Sequence, residues 1–144
     1  MGTNYYFISK NKQAMNEWFG EFKYQLIDTP YFGYEAHVAK TSMGWLPLFQ
    51  GYKNIKSVND LKKCYDTGAF KIFDEYEDEY NWEEFKERVI EHNGGYLGAI
   101  ERRKVESTYG DLPNYRPISH FEVEDANAYF KDDKGYEFYP DDFL

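Results

Sequence analysis

Phe32-Gly-Tyr-Glu-Ala-His-Val-Ala-Lys-Thr-Ser-Met-Gly-Trp-Leu-Pro-Leu-Phe-Gln-Gly51 is the longest run of this chain that reads as paired strands. From Tyr34 to Ala39 the side chains alternate, with Tyr34, Ala36 and Val38 against Glu35, His37 and Ala39. That period of two suits a half-buried strand. Lys40 to Met43 reads as the turn and Gly44 to Phe49 as the return strand, with Pro47 marking an edge or a bulge. The stretch also carries His37, one of three histidines, beside a polar Lys-Thr-Ser run.

Outward from this hairpin, strands and helices mix without strict βαβ alternation. Thr3 to Ser9 reads as a strand, with Tyr5 to Ile8 a continuous apolar run that suits the centre of a sheet. Lys12 to Tyr24 is expected to be a helix, with Ala14, Met15, Trp18, Phe19 and Phe22 on one face. Ser57 opens a second helix whose apolar face is Val58, Leu61 and Tyr65, with Gly68 as its stop. Ala69 to Phe73 alternates as a short strand, and Asp74 to Asn81 reads as an acidic loop. Asn81 and Glu84 have capping-box spacing for a third helix carrying Trp82, Phe85, Val89 and Ile90, which Asn93-Gly94-Gly95 ends. Ile118 to Val123 reads as a strand, and Tyr129-Phe130 and Tyr136 to Tyr139 as a hairpin around Lys131 to Gly135. The expected class is α+β, a mainly antiparallel sheet with about three helices packed on it. At 144 residues, positions 1–144 form a single domain by length.

Composition narrows the functions. Lys and Arg total 17 and Asp and Glu 26, a net charge of −9. Phosphate contacts need clustered cations, so direct nucleic-acid binding is not expected, whereas a basic protein surface is a fitting partner. Aromatic residues make up 21% of the chain, which excludes reading the acidity as disorder and supplies the Tyr that interfaces favour. A single cysteine, Cys64, allows no intramolecular disulfide. The N-terminal residues lack a basic and apolar leader pattern, and no run approaches a membrane span. The expectation is a cytoplasmic protein with no membrane association.

No phosphate-cradling or dinucleotide glycine pattern occurs, and Cys64 has no signature of a catalytic thiol. The chain is therefore read as not an enzyme, with no catalytic residue and no cofactor assigned. A zinc ion at His37 is the alternative chemistry, with His92, His120, Cys64 and carboxylates as the pool of donors. No two of these stand at ligand spacing. Asp74 to Glu91 holds nine acidic residues, and Glu122 to Asp142 eight more. A dense anionic face of this kind can occupy a basic groove built for nucleic acid. The expected partner-binding residues are Asp74, Glu75, Glu77, Asp78 and Glu79, with Tyr76 and Tyr80 as anchors.

Met1-Gly2-Thr3-Asn4-Tyr5-Tyr6 resembles a family of small bacteriophage and prophage proteins that begin with the same hexapeptide. Those proteins carry a His-Ile-Gly-Lys-Ser-Ser-x-Gly-Trp-type segment, to which His37-Val38-Ala39-Lys40-Thr41-Ser42-Met43-Gly44-Trp45 is similar. Gly135-Tyr136-Glu137-Phe138 and the region from Asp74-Glu75-Tyr76 to Phe85 are also similar. Many relatives place a Cys-Pro-x-Cys pair after the first strand, suggestive of zinc. This chain has no Cys between Asn11 and Glu17, so it departs from a family-type metal site. The resemblance implies a phage-borne accessory protein of the host cytoplasm. Small acidic phage proteins include inhibitors of host defence, anti-CRISPR proteins among them, so the leading expectation is an inhibitor of a host effector such as a Cas nuclease. A metal-binding module centred on His37, structural or hydrolytic, and a phage structural or regulatory protein are the alternatives.

Overall fold

The computed structural model describes residues 2–27, 33–42, 45–91 and 130–140. The expectations for His92, Asn93-Gly94-Gly95, Ile118 to Val123 and His120 lie outside the described residues.

The strand that carries the sheet is longer than the hairpin reading allows. β1 (Gly2–Ser9) is followed by α1 (Lys12–Phe19), β2 (Gln25–Ile27) and β3 (Gly33–Ser42). β4 (Leu48–Gln50), α2 (Val58–Asp66), β5 (Lys71–Asp74) and β6 (Glu79–Tyr80) come next. α3 (Trp82–Phe85) continues into a π-turn over Lys86–Ile90, and β7 (Phe130–Lys131) and β8 (Glu137–Tyr139) complete the described elements. The fold is α+β with a mostly antiparallel sheet, as expected, and the described residues form three helices and eight strands. The main strand order is β6-β5-β1-β3-β4-β8-β7, with β2 also on β3. β4 and β8 form a parallel pair. None of the described helices is long and apolar enough to cross a membrane.

Lys40, Thr41 and Ser42, read from sequence as a turn, belong to β3, where they pair with Asn4, Thr3 and Gly2. β1 supplies the reason: its full length offers a partner that carries β3 on to Ser42. The register skips at Val38, since Tyr5 faces Ala39 while Tyr6 faces His37. A bulge of this kind sets two neighbouring residues on one side of the sheet. Val38 and Ala39 are accordingly both fully buried in the core. Strict alternation had put Ala39 on the outer face with Glu35 and His37.

The helices cover one face. Phe7 on β1 is the hub, with ring centroids 6.3 Å from Phe19, 6.5 Å from Tyr65, 6.0 Å from Phe70 and 6.1 Å from Phe85. The Phe70 pair is tilted and the other three are edge-to-face, and such pairs add to the gain from apolar burial. α1 starts where the Asn11 side chain accepts from Ala14 N at 3.1 Å, and it buries Met15 and Phe19. It ends at Phe19, short of the expected Tyr24, because Gly20 takes φ +97, a backbone open mainly to glycine. Phe22 thus leaves the helix and is 88% exposed, with φ +70. α2 is capped by Ser57 and buries Val58, Leu61 and Cys64, while Tyr65 is only partly buried. The capping box of α3 forms as expected, with Asn81 Oδ1 accepting from Glu84 N at 2.8 Å and Asn81 N donating to Glu84 Oε1 at 3.0 Å. The wider π-turn then brings both Val89 and Ile90 into the core beside Phe85.

The β7–β8 hairpin is tied to α2 by one side chain. The Asp132 carboxylate accepts from Lys134 N at 3.0 Å, Tyr136 N at 2.9 Å and Val58 N at 3.0 Å. A carboxylate at the first turn of a helix is favoured by the helix dipole as well as by the bond.

Truncation of the hub measures how far the core depends on it. Phe7→Ala is expected to lower unfolding stability by about 3–5 kcal/mol in urea denaturation, because four ring contacts go and a large cavity remains.

Candidate functional site

Two surfaces draw on the residues singled out from sequence. The first is the acidic turn between β5 and β6. Asp74 ends β5 opposite Tyr5, only 6% exposed. Its Oδ1 accepts from Tyr76 N at 2.8 Å and Asp78 N at 3.0 Å, and its Oδ2 accepts from the Tyr80 hydroxyl at 2.8 Å. The backbone closes the same loop, with Asp74 N donating to Asp78 O at 3.0 Å and Glu77 N to Asp74 O at 3.1 Å. Glu77 sits at φ +68, a conformation uncommon for a residue with a side chain.

Tyr80 is buried behind the turn. Its ring stands edge-on to Tyr5 at 5.6 Å, and the Arg88 guanidinium lies 5.9 Å from its centre. Burial, and the bond to Asp74, raise the Tyr80 hydroxyl well above its ordinary pKa. Burial also raises Tyr5, whose ring packs against Tyr80. The buried Tyr5, Tyr80 and Asp74 side chains together root the turn in the sheet.

This corrects two of the expected contact residues. Asp74 and Tyr80 face inward and spend their polar atoms on holding the turn. Glu75, Tyr76, Glu77, Asp78 and Glu79 are exposed, and Tyr76 is 64% exposed. Glu75 Oε1 accepts from Asn4 N at 2.8 Å, and Glu79 lies 3.9 Å from Lys71. Tyr76, Glu77 and Asp78 form the apex.

The second surface is a groove of about 430 Å³ on the sheet face opposite the helices. β3 builds it. Its far edge pairs with β2 at Gly33 to Glu35 and with β4 at Ala39 and Lys40. Between these short strands the Tyr52 hydroxyl takes the place of a strand, donating to His37 O at 2.6 Å. The Tyr52 ring stays in the core, edge-on to Phe19 at 4.8 Å. Glu35 and His37, two apart on β3, line the groove with Tyr6, Gln50 and Tyr52, and Phe22 and Tyr24 come from the loop after α1.

His37 stacks on Tyr6 with ring centroids 4.9 Å apart. Burial drops its pKa from 6.5 to about 4, opposed by a hydrogen bond to the Ala39 backbone and assisted by nearby Lys40. A neutral imidazole is the form that binds metal. Among the described residues, however, no three His, Cys, Asp or Glu side chains gather into a set that could hold an ion. The zinc reading thus finds no set of three donors around His37 within the described part of the chain. Cys64, another member of that donor pool, is sealed in α2 under the sheet. Burial, with a smaller contribution from Glu17, pushes its thiol far above the usual range.

Sequence reasoning set Glu35 on the face of His37 but missed Tyr6 and Phe22 as its neighbours. The two-residue spacing of Glu35 and His37 signalled the shared face. Gly20 signalled the early helix end that frees Phe22. The chain matches no known protein family, no curated protein and no solved structure.

His37 makes stability fall with acid. Its folded pKa is depressed, so the unfolded chain binds the proton first, and its contribution is complete above pH 6.5 and lost as pH falls toward 4. A shift from 6.5 to about 4 corresponds to about 3 kcal/mol at most. Urea titrations between these pH values should show His37→Gln losing less stability across the window than the parent chain. Equal slopes for the two proteins would remove His37 as the acid-sensitive group.

Proposed function

We propose that the chain acts without catalysis, as a binding protein that covers a basic surface of a host effector. The partner class is a nucleic-acid-handling defence protein such as a Cas nuclease, met inside the bacterial cell by a phage-encoded accessory protein. What carries the reading is the turn from Asp74 to Tyr80. Its exposed side chains are four carboxylates and Tyr76, and its backbone is held by the buried Asp74 carboxylate. A partner pays little ordering entropy to meet such a surface, since the loop is set before contact. Carboxylates meet Lys and Arg, and an exposed Tyr supplies the kind of anchor that dominates interface energetics. The net charge of −9 adds long-range attraction to a cationic groove and repels nucleic acid itself.

The chemistry predicts which change matters. Reversing Glu75, Glu77, Asp78 and Glu79 to Lys should abolish inhibition of a susceptible nuclease and slow association, and raising salt should weaken the parent complex in parallel. Tyr76→Ala should weaken it by about tenfold or more, mainly through faster dissociation. Both are read by surface-bound kinetics and a DNA-cleavage assay with purified nuclease. Inhibition that persists in the charge-reversed protein would sink the proposal.

A further inference from the structure

We propose that the groove beside His37 is a second contact site, which takes the guanidinium head of an arginine side chain from a basic partner protein. This deepens the reading of the chain as a binder of basic surfaces and rests on it. The central observation is Glu35. Its carboxyl group is half-buried and lines the groove, and among the described residues it makes no hydrogen bond and no ion pair. Burial alone raises its pKa, which expresses the cost of a charge that lacks compensation there. A cation entering the groove removes that cost. The lining otherwise suits a planar cation. Tyr6, Phe22 and Tyr24 line the same groove, with Tyr6 stacked on His37. Guanidinium stacks on aromatic faces and binds carboxylates through two parallel N–H bonds, which an ammonium does not do.

Charge and exposure point the same way. Glu75 lies close enough to Tyr6 to act on its hydroxyl together with Glu35, so two carboxylates set the potential at this ring. His37 is neutral at physiological pH and does not oppose them. Among the described lining residues Lys23, on the loop after α1, carries a cation, and it forms no ion pair with Glu35. Phe22 is 88% exposed at φ +70, a costly way to hold a large apolar ring in water. A guanidinium under that ring gives the exposed face a contact. Through Asn4, whose amide and backbone bond Glu75 and which also lines the groove, the site adjoins the acidic turn. One basic surface can therefore reach both.

The groove is tested without any partner. N-acetyl-arginine amide, its lysine counterpart and its uncharged citrulline counterpart are titrated into the intact protein. The ring resonances of Tyr6, His37 and Phe22 are followed by NMR. The arginine compound should produce saturable shifts with a Kd of about a millimolar, and the other two should bind at least about tenfold more weakly. Glu35→Gln, which keeps the shape, should cut arginine binding about tenfold, and Phe22→Ala several-fold. Equal response to citrulline or lysine, or undiminished binding by Glu35→Gln, overturns the proposal. A second arm measures Glu35→Gln against the purified nuclease, where affinity should fall about tenfold. If the turn variants lose the nuclease and Glu35→Gln does not, the groove proposal fails while the function stands. If the arginine compound binds and no variant affects nuclease activity, the function fails on its own terms.

Discussion

The pairing of β1 with β3 sets the geometry of everything else. It runs from Gly2 opposite Ser42 to Ser9 opposite Tyr34, with one skipped residue at Val38. That skip turns Ala39 and Thr41 toward the helices and leaves Glu35 and His37 on the other side. Core and groove are therefore two faces of one bulge. Gly33 shows how closely the end of the pair is drawn together, since a Cβ there would lie 2.8 Å from the Ser9 carbonyl oxygen. Few side chains fit such a site, which makes this glycine a condition of the register.

The aromatic content follows from the same constraint. A sheet covered on one side by three short helices has little depth, and large rings fill it with few side chains. Phe7, Phe19, Phe70 and Phe85 meet at one point, while Phe49, Phe138 and Phe130 stack along the β4–β8–β7 end at 5.3 and 5.5 Å. Tyr residues do more than fill space. Tyr52 satisfies the His37 carbonyl between β2 and β4, and Tyr80 satisfies Asp74. Each places a ring in the core and its hydroxyl on a polar atom that burial would otherwise leave costly.

Both surfaces proposed for binding rest on these buried polar contacts. The acidic turn is rooted in Tyr5 and Tyr80, and the groove in Tyr6 and Tyr52. Tyr5 and Tyr6 are consecutive and point to opposite faces of β1, so one dipeptide supports both. This gives the Gly2-to-Tyr6 stretch a physical task.

Local signals in the sequence were enough for much of this fold. The Ser57 and Asn81 caps, the apolar faces of α2 and α3 and the β7–β8 turn are written within a few residues, because capping and turn chemistry act over that range. The Glu75-to-Glu79 charge run was legible for the same reason. Lys40 to Ser42 were not, since whether a polar triplet turns or continues depends on a strand more than thirty residues away. The short strands β2 and β6 escaped notice because neighbours, not propensity, create them. Asp74 and Tyr80 look like the rest of the acidic run, and only the packing of Tyr5 against them turns the pair inward. The sequence by itself determined the fold class, the caps and the charge. Tertiary structure alone decided which carboxylates face water and which hold the turn, because burial and hydrogen bonding are properties of the assembled sheet.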